Sequence, residues 1–202
     1  MLTAVRHDTK SRIFDMALRL FSTSGVENVS MRDIAQAVGI KAASIYNHYV
    51  NKEQIVEACY DFFIQYHSIG RLDKGQYTRV LREGTQEEIA NIPYNQFPPD
   101  QAENLVCAMS VLYSRIYTDQ KAIDLYTKMV DSSLQFLQEF FKTGIEVGRF
   151  EAFNVRGVSM LYMSARLFSA QSVTIHPDAF DDWDLAQKEM ITVLIRALPF
   201  IY

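Results

Sequence analysis

The stretch GIKAASIYNHYVNKEQI, residues 39–55, decides how this chain is read. A glycine opens it, two alanines follow, and Tyr-Asn-His-Tyr then leads into Asn-Lys-Glu. Ile40, Ile45 and Tyr49 are its spaced apolar positions, and the spacing predicts a short helix over about 42–48. Small residues line one side of that helix, aromatics another, and cations stand at both ends. Its outer side is built to fit something other than its own core.

Working upstream, Ser30-Met31-Arg32-Asp33 reads as a helix N-cap with an acid three residues on, close to a capping box. Ile34, Ala35 and Val38 give the helix over 30–38 its buried side. Gly39 ends it, where glycine tolerates a positive φ. Earlier still, Ile13, Phe14, Ala17, Leu20 and Phe21 stripe a helix over about 9–24 that Gly25 stops. Downstream, Asn51 is a good N-cap for a fourth helix, which runs through Ile55, Val56, Cys59, Phe62, Phe63 and Tyr66 to about Ile69.

Two short helices joined by Gly39-Ile40-Lys41 follow the helix-turn-helix plan. Ala35, Val38, Ile40, Ile45 and Tyr49 would lock the pair together, leaving Ala42, Ala43, Tyr46 and Asn47 outward. A helix in the major groove needs small residues where the DNA walls approach, amides or aromatics at base edges, and donors beside the phosphates. Ala42 and Ala43 allow the approach, and Asn47 can pair with a base edge. Tyr46 and His48 offer donors, while Lys41 and Lys52 add charge. Ser30 and Arg32 stand at a helix N-terminus, whose unpaired amides suit a phosphate. The competing interpretation is a small helical domain with ordinary solvated charges, since many helical proteins contain a helix–glycine–helix.

Charge points the same way. The whole chain carries −4, but residues 1–52 hold seven cations against four carboxylates, so the basic end fits a polyanion and the remainder does not. Cys59 and Cys107 lack any metal-ligand spacing and read as buried thiols. Neither a metal nor a cofactor is expected. The first residues lack the apolar core of a signal peptide, and no run reaches the roughly 18 apolar residues of a membrane span, so a cytoplasmic protein without membrane contact is expected. There is no Gly-rich phosphate loop, HExxH, Gly-x-Ser-x-Gly or paired-carboxylate constellation, which argues against an enzyme.

Past Gly70 the pattern loosens, and residues 71–98 show only weak helical stretches. Helices are predicted over about 100–118, 120–147 (capped by Asp119), 154–175 (capped by Asn154) and 181–198. No strand alternation appears, so the fold class is all-α, with about nine helices. In the last helix Ala186, Met190, Ile191, Val193, Leu194, Ile195, Ala197 and Leu198 cover too wide an arc for one core, and a side is left for a second copy of the chain.

Residues 9–55 resemble the N-terminal region of the TetR family of bacterial transcription regulators. Phe21, Gly25, Ser30, Ile34, Ala35, Val38, Gly39 and Ile40 carry the likeness, followed by Ser44, Ile45, Tyr46, His48, Tyr49, Asn51, Lys52 and Glu53. The resemblance implies a three-helix helix-turn-helix DNA-binding domain, residues 1–51, and a larger helical effector-binding and dimerisation domain, residues 52–202. It places Ser30, Ser44, Tyr46, His48 and Lys52 on the DNA backbone, and residues 41–43 and 47 nearest the bases. It implies a homodimer through the last two helices. It also implies a small-molecule pocket, for which Met109, Tyr113, Tyr117, Phe136, Phe140, Tyr162 and Met163 are candidate walls and Arg166 a candidate anchor. A stripe of Met and aromatics is also what a plain core looks like. Two positions depart from the family: Lys41 stands where Ser or Thr usually caps the recognition helix, and Ala43 where Gly is common. The function expected is a repressor released from a palindromic operator by an effector. The alternative is a DNA-binding protein of the same fold without a small ligand, controlled by a protein partner.

Overall fold

The computed structural model describes residues 8–66, 72–92, 101–175, 189 and 192–198. The described chain is all-α. Its helices are α1 (Thr9–Ser24), α2 (Met31–Val38), α3 (Ala42–Ile45), α4 (Lys52–Tyr66), α5 (Lys74–Glu83), α6 (Gln86–Asn91), α7 (Ala102–Arg115), α8 (Gln120–Glu146) and α9 (Val155–Ile175). A 3₁₀ turn, Val26–Asn28, joins α1 to α2, and residues 192–196 are helical. The rest of the helix expected over 181–198 lies outside the described residues.

The chain forms two compact units. The first contains α1 to α4, α7 and the start of α8; the second contains α5, α6, the remainder of α8 and α9.

In the first unit α1 packs on α2, α4 and α7, and α4 packs on α7. Asp8 caps α1 by accepting from Ser11 N at 2.7 Å. Ile13, Ala17, Leu18 and Phe21 of α1 are buried, as are Ile55, Val56, Cys59, Tyr60 and Phe63 of α4. Phe14 and Phe62 meet with ring centroids 5.4 Å apart. Each buried Ile or Phe here contributes about 1.5–3 kcal/mol of apolar burial.

The second unit is built on aromatics. Tyr77, Leu81, Ile89, Leu137, Phe140, Phe141, Phe150, Tyr162 and Met163 form its core together with Ile195 and Leu198. The polar segment before it is more helical than its sequence predicts. Asp73 and Gln76 form a full capping box for α5, and Thr85 and Glu88 another for α6. Four satisfied terminal groups offset the thin apolar stripes of these short helices.

Gly144, inside α8, lies against the Phe150 ring so closely that a Cβ would stand 2.3 Å from a ring carbon. Glycine is needed there for close approach, not for its φ.

Candidate nucleic-acid interface

The helix-turn-helix segment is assembled from short-range bonds. Ser30 Oγ accepts from Asp33 N at 3.2 Å, and Ser30 N donates to Asp33 Oδ2 at 2.8 Å, completing the capping box of α2. The Ser30 hydroxyl also donates to Asp33 Oδ2 at 2.6 Å. Hydrogen bonds from the Ser30 side chain and backbone hold the Asp33 carboxyl below the usual carboxylate range. The Ser30 donor is thus already used within the cap, and to serve a phosphate it must turn away from Asp33.

Gly39 ends α2 in the left-handed region, φ 76 and ψ 34. Gly39 N donates to Gln36 O at 3.1 Å and Ile40 N to Ala35 O at 2.9 Å, the paired bonds of a Schellman motif. Arg12 Nη2 donates to Val38 O at 2.8 Å and ties this turn to α1.

Lys41 is the N-cap of α3 and makes no side-chain cap bond. The expected helix over 42–48 is α-helical only to Ile45. Asn47 N then donates to Ser44 O and His48 N to Ile45 O, so the chain tightens into 3₁₀-type turns. Ile45 and Tyr49 are buried and anchor the helix. Lys41, Ala42, Ala43, Tyr46 and Asn47 are exposed, with Tyr46 56% exposed; Ser44 and His48 are half-buried. Arg32 is exposed on the first turn of α2. Burial pushes the Tyr49 phenol up to about 12, so it stays neutral, and Lys10 Nζ lies 5.5 Å from its ring centroid.

Lys52 is half-buried, and its Nζ donates to Val26 O at 2.7 Å. One of its three donors therefore braces the turn before α2, and only the other two remain for a phosphate. Val50, which the sequence does not single out, is 73% exposed at the edge of this surface. An exposed valine beside a helix end has no periodicity to reveal it.

The candidate effector residues divide between the units. Met109 is buried and Tyr113 half-buried on α7, in the first. Tyr117 follows the end of α7 and is 87% exposed; the helix has stopped at Arg115, so its apolar period no longer points inward. Phe140, Tyr162 and Met163 belong to the core of the second unit, and Phe136 packs against it. Arg166 is buried, and burial pushes the Tyr162 phenol up to about 12, with the Arg166 guanidinium opposing the shift. A polar cavity of about 270 Å³ in the second unit is lined by other residues, among them Lys74, Gln135, Glu139, Lys142 and Thr143.

Among the described residues no cluster of His, Cys, Asp and Glu could hold a metal, and no helix is long and apolar enough to cross a membrane.

Residues 13–59, which take in most of α1, all of α2 and α3 and about half of α4, match the model of bacterial regulatory proteins, tetR family. Residues 13–59 are thus similar to the N-terminal domain of the TetR family. A TetR-type relative is the biofilm operon icaADBC HTH-type negative transcriptional regulator IcaR of Staphylococcus epidermidis, 44% identical over 61 residues. That match takes in 28% of this chain and 33% of IcaR, so the chain spans about a third of the curated relatives it matches. The fold likeness reaches further. The TetR-family regulator PfmR from Thermus thermophilus superposes with a TM-score of 0.64 at 20% identity, over 92% of this chain and 97% of that one. The complex of SmeT with triclosan does so at 0.63 and 13% identity, over 95% and 91%.

Proposed function

We propose that this chain is a TetR-family, sequence-specific repressor that binds a palindromic operator as a homodimer and is released by a small molecule. The observation that carries the DNA-binding part is the exposed row Lys41, Ala42, Ala43, Tyr46 and Asn47. It stands on a helix anchored by Ile45 and Tyr49. The negative regulator IcaR is the relative that supports repression. Ser30, Arg32, Ser44, His48 and Lys52 would hold phosphates around that row, and the functional division falls between residues 51 and 52. Selection of duplexes from a random pool, followed by Tyr46→Ala, tests this. The variant should stay folded, bind the selected duplex less well, and lower the salt slope by about 0.9 for one lost phosphate contact. Failure of the wild type to enrich any duplex would end the proposal.

Dimerisation is supported by α9. Gly157, Met160, Leu161 and Ser164 fall on one exposed arc of that helix, and Val193 is exposed as well. Among the described residues 192–198, Ile195 and Leu198 are buried in their own core while Val193 is exposed. A helix-turn-helix reads one half-site, so symmetric pairs are its usual route to specific affinity.

Ligand release would be a population shift, driven only by the ligand's different affinity for the two states. The complex of SmeT with triclosan is a fold relative that holds a small molecule. One observation favours control by a protein partner instead: Phe140, Tyr162 and Met163 are spent on core packing. Displacement of operator by small molecules, or by a purified protein fraction alone, separates the two readings.

A further inference from the structure

Arg115 closes α7, and its side chain is only 15% exposed. Its guanidinium is where three carboxylates from three other places in the first unit converge. Nη1 donates to Glu27 Oε1 at 2.5 Å, Nη2 donates to Glu53 Oε2 at 3.1 Å, and Nη2 lies 3.6 Å from Asp119 Oδ2. Glu27 sits in the 3₁₀ turn that feeds α2, and Glu53 in the first turn of α4. Asp119 accepts from Lys121 N at 2.9 Å, as the cap of α8, and from the hydroxyl of buried Tyr60 of α4 at 2.9 Å. Burial opposes ionisation of Asp119, but the Tyr60 hydroxyl, the α8 amides and Arg115 outweigh it and hold the carboxyl below its usual range.

The turn Val26–Asn28 is thereby gripped at consecutive residues. Lys52 holds the Val26 carbonyl from α4, and Arg115 holds the Glu27 carboxylate from α7. Ser30, the cap of α2, follows two residues after that turn. The pose of α2 and α3 on the α4–α7 frame depends on how the turn is held. A planar guanidinium presents two separate nitrogens in fixed directions, so Nη1 and Nη2 can bond Glu27 and Glu53 at the same time, whereas an ammonium gathers its three donors on one atom.

We propose that Arg115 is the positioning residue for DNA binding, setting the angle at which α2 and α3 are presented without touching DNA itself. Direct phosphate contact fits the site poorly: the guanidinium is largely covered, and three carboxylates around one cation would repel an anion. The inference rests on the DNA-binding reading above.

The test uses the full chain and a duplex that the wild type has selected. Arg115→Gln and Glu53→Gln are compared with wild type over a range of salt concentrations, below each protein's own melting transition. Arg115→Gln should keep its helicity, bind about ten-fold more weakly, a shift within the usual range of site-to-site coupling, and leave the salt slope unchanged. Glu53→Gln should move the same way by less. The double variant should bind no worse than Arg115→Gln alone, since both remove one interaction. A folded Arg115→Gln with wild-type affinity would reduce the residue to a stability role. A slope lowered by about 0.9 would make it a phosphate contact, and either result overturns the proposal. Should Arg115→Gln fail to fold, Arg115→Lys and Glu53→Gln carry the test, and wild-type affinity in both sinks it. If the wild type selects no duplex, the DNA-binding reading fails and this inference falls with it; if it does and the variants match it, only the inference fails.

Discussion

Replacing Lys41 by serine should make the protein more stable. Lys41 holds the N-cap of α3 in extended backbone, φ −66 and ψ 140, and its side chain takes up no amide. The first amides of a helix have no carbonyl a turn behind them, and α3 has only one turn to share that cost. Ser30 shows what is missing, since its Oγ accepts from Asp33 N at the start of α2. The full value of a serine cap, about 0.5–2 kcal/mol, is not all available at position 41. Ser44 N, the amide three residues on, already donates to the Lys41 carbonyl at 2.8 Å. A serine hydroxyl would take the Ala43 amide, or share that of Ser44, which puts the gain at the lower end, about 0.5–1 kcal/mol. For a chain of this size each kcal/mol moves the Tm by about 2–4 °C, so the rise should be about 1–4 °C. Calorimetry at fixed ionic strength measures it, with Lys41→Ala as the control that removes the charge without adding a cap. A serine variant that melts no higher than the alanine variant would show that the cap of α3 is not what limits stability here. The same protein reports on the exposed ammonium. An even loss of affinity across duplexes assigns Lys41 to phosphate. A loss of about 1–3 kcal/mol of discrimination at one base pair assigns it to guanine.

Three further expectations follow from the packing and the charges. Gly144→Ala gains about 1 kcal/mol of helix propensity. It also drives a methyl group into the Phe150 ring, itself wedged among Phe140, Phe141 and Phe153. Overpacking costs about 1–3 kcal/mol and should win here, lowering the Tm by a few degrees; a variant that melts higher would mean that the ring moves freely. Asp33 ionises more readily folded than unfolded, so its cap contributes stability above the unfolded pKa and loses it as pH falls through the folded one. Carboxyl NMR should find Asp33 titrating below the usual aspartate range, and Ser30→Ala should raise its midpoint; an unchanged midpoint would remove Ser30 as the cause. Leu161→Glu places charge on the exposed arc of α9 and should give a folded monomer by sedimentation; a dimer as tight as wild type would move the interface elsewhere.

The helix-turn-helix geometry is legible in the sequence because its determinants are local. Ser30 and Asp33, Gly39, and Ile45 with Tyr49 each act within four or five positions. The same grammar is present for α5 and α6 in Asp73 with Gln76 and Thr85 with Glu88, but the thin apolar stripe there hides it. Lys52 reads as a phosphate contact, and nothing local shows that its ammonium reaches back 26 positions to Val26. Arg115 is harder still, since its partners lie 88 and 62 positions away and only the fold brings them together. Periodicity also cannot separate a pocket wall from a core wall, which is why Phe140 and Tyr162 suit either reading until their neighbours are known.

On the DNA-binding reading proposed above, the brevity of α3 limits how much a single copy of the chain can know about a genome. Four residues rise about 6 Å along a helix axis, while base pairs are stacked about 3.4 Å apart, so one copy addresses about two to four pairs even with the help of Tyr46 and Asn47. The major groove distinguishes all four base-pair orientations, about two bits per pair, which gives one copy about four to eight bits. Finding one address among about a million competing sites takes about twenty. On the dimer reading proposed above, a second copy would supply part of the missing information, and the distance between the two recognition helices would itself become a symbol in the message. On that reading, anything that altered that distance would erase the address without disturbing a single base contact.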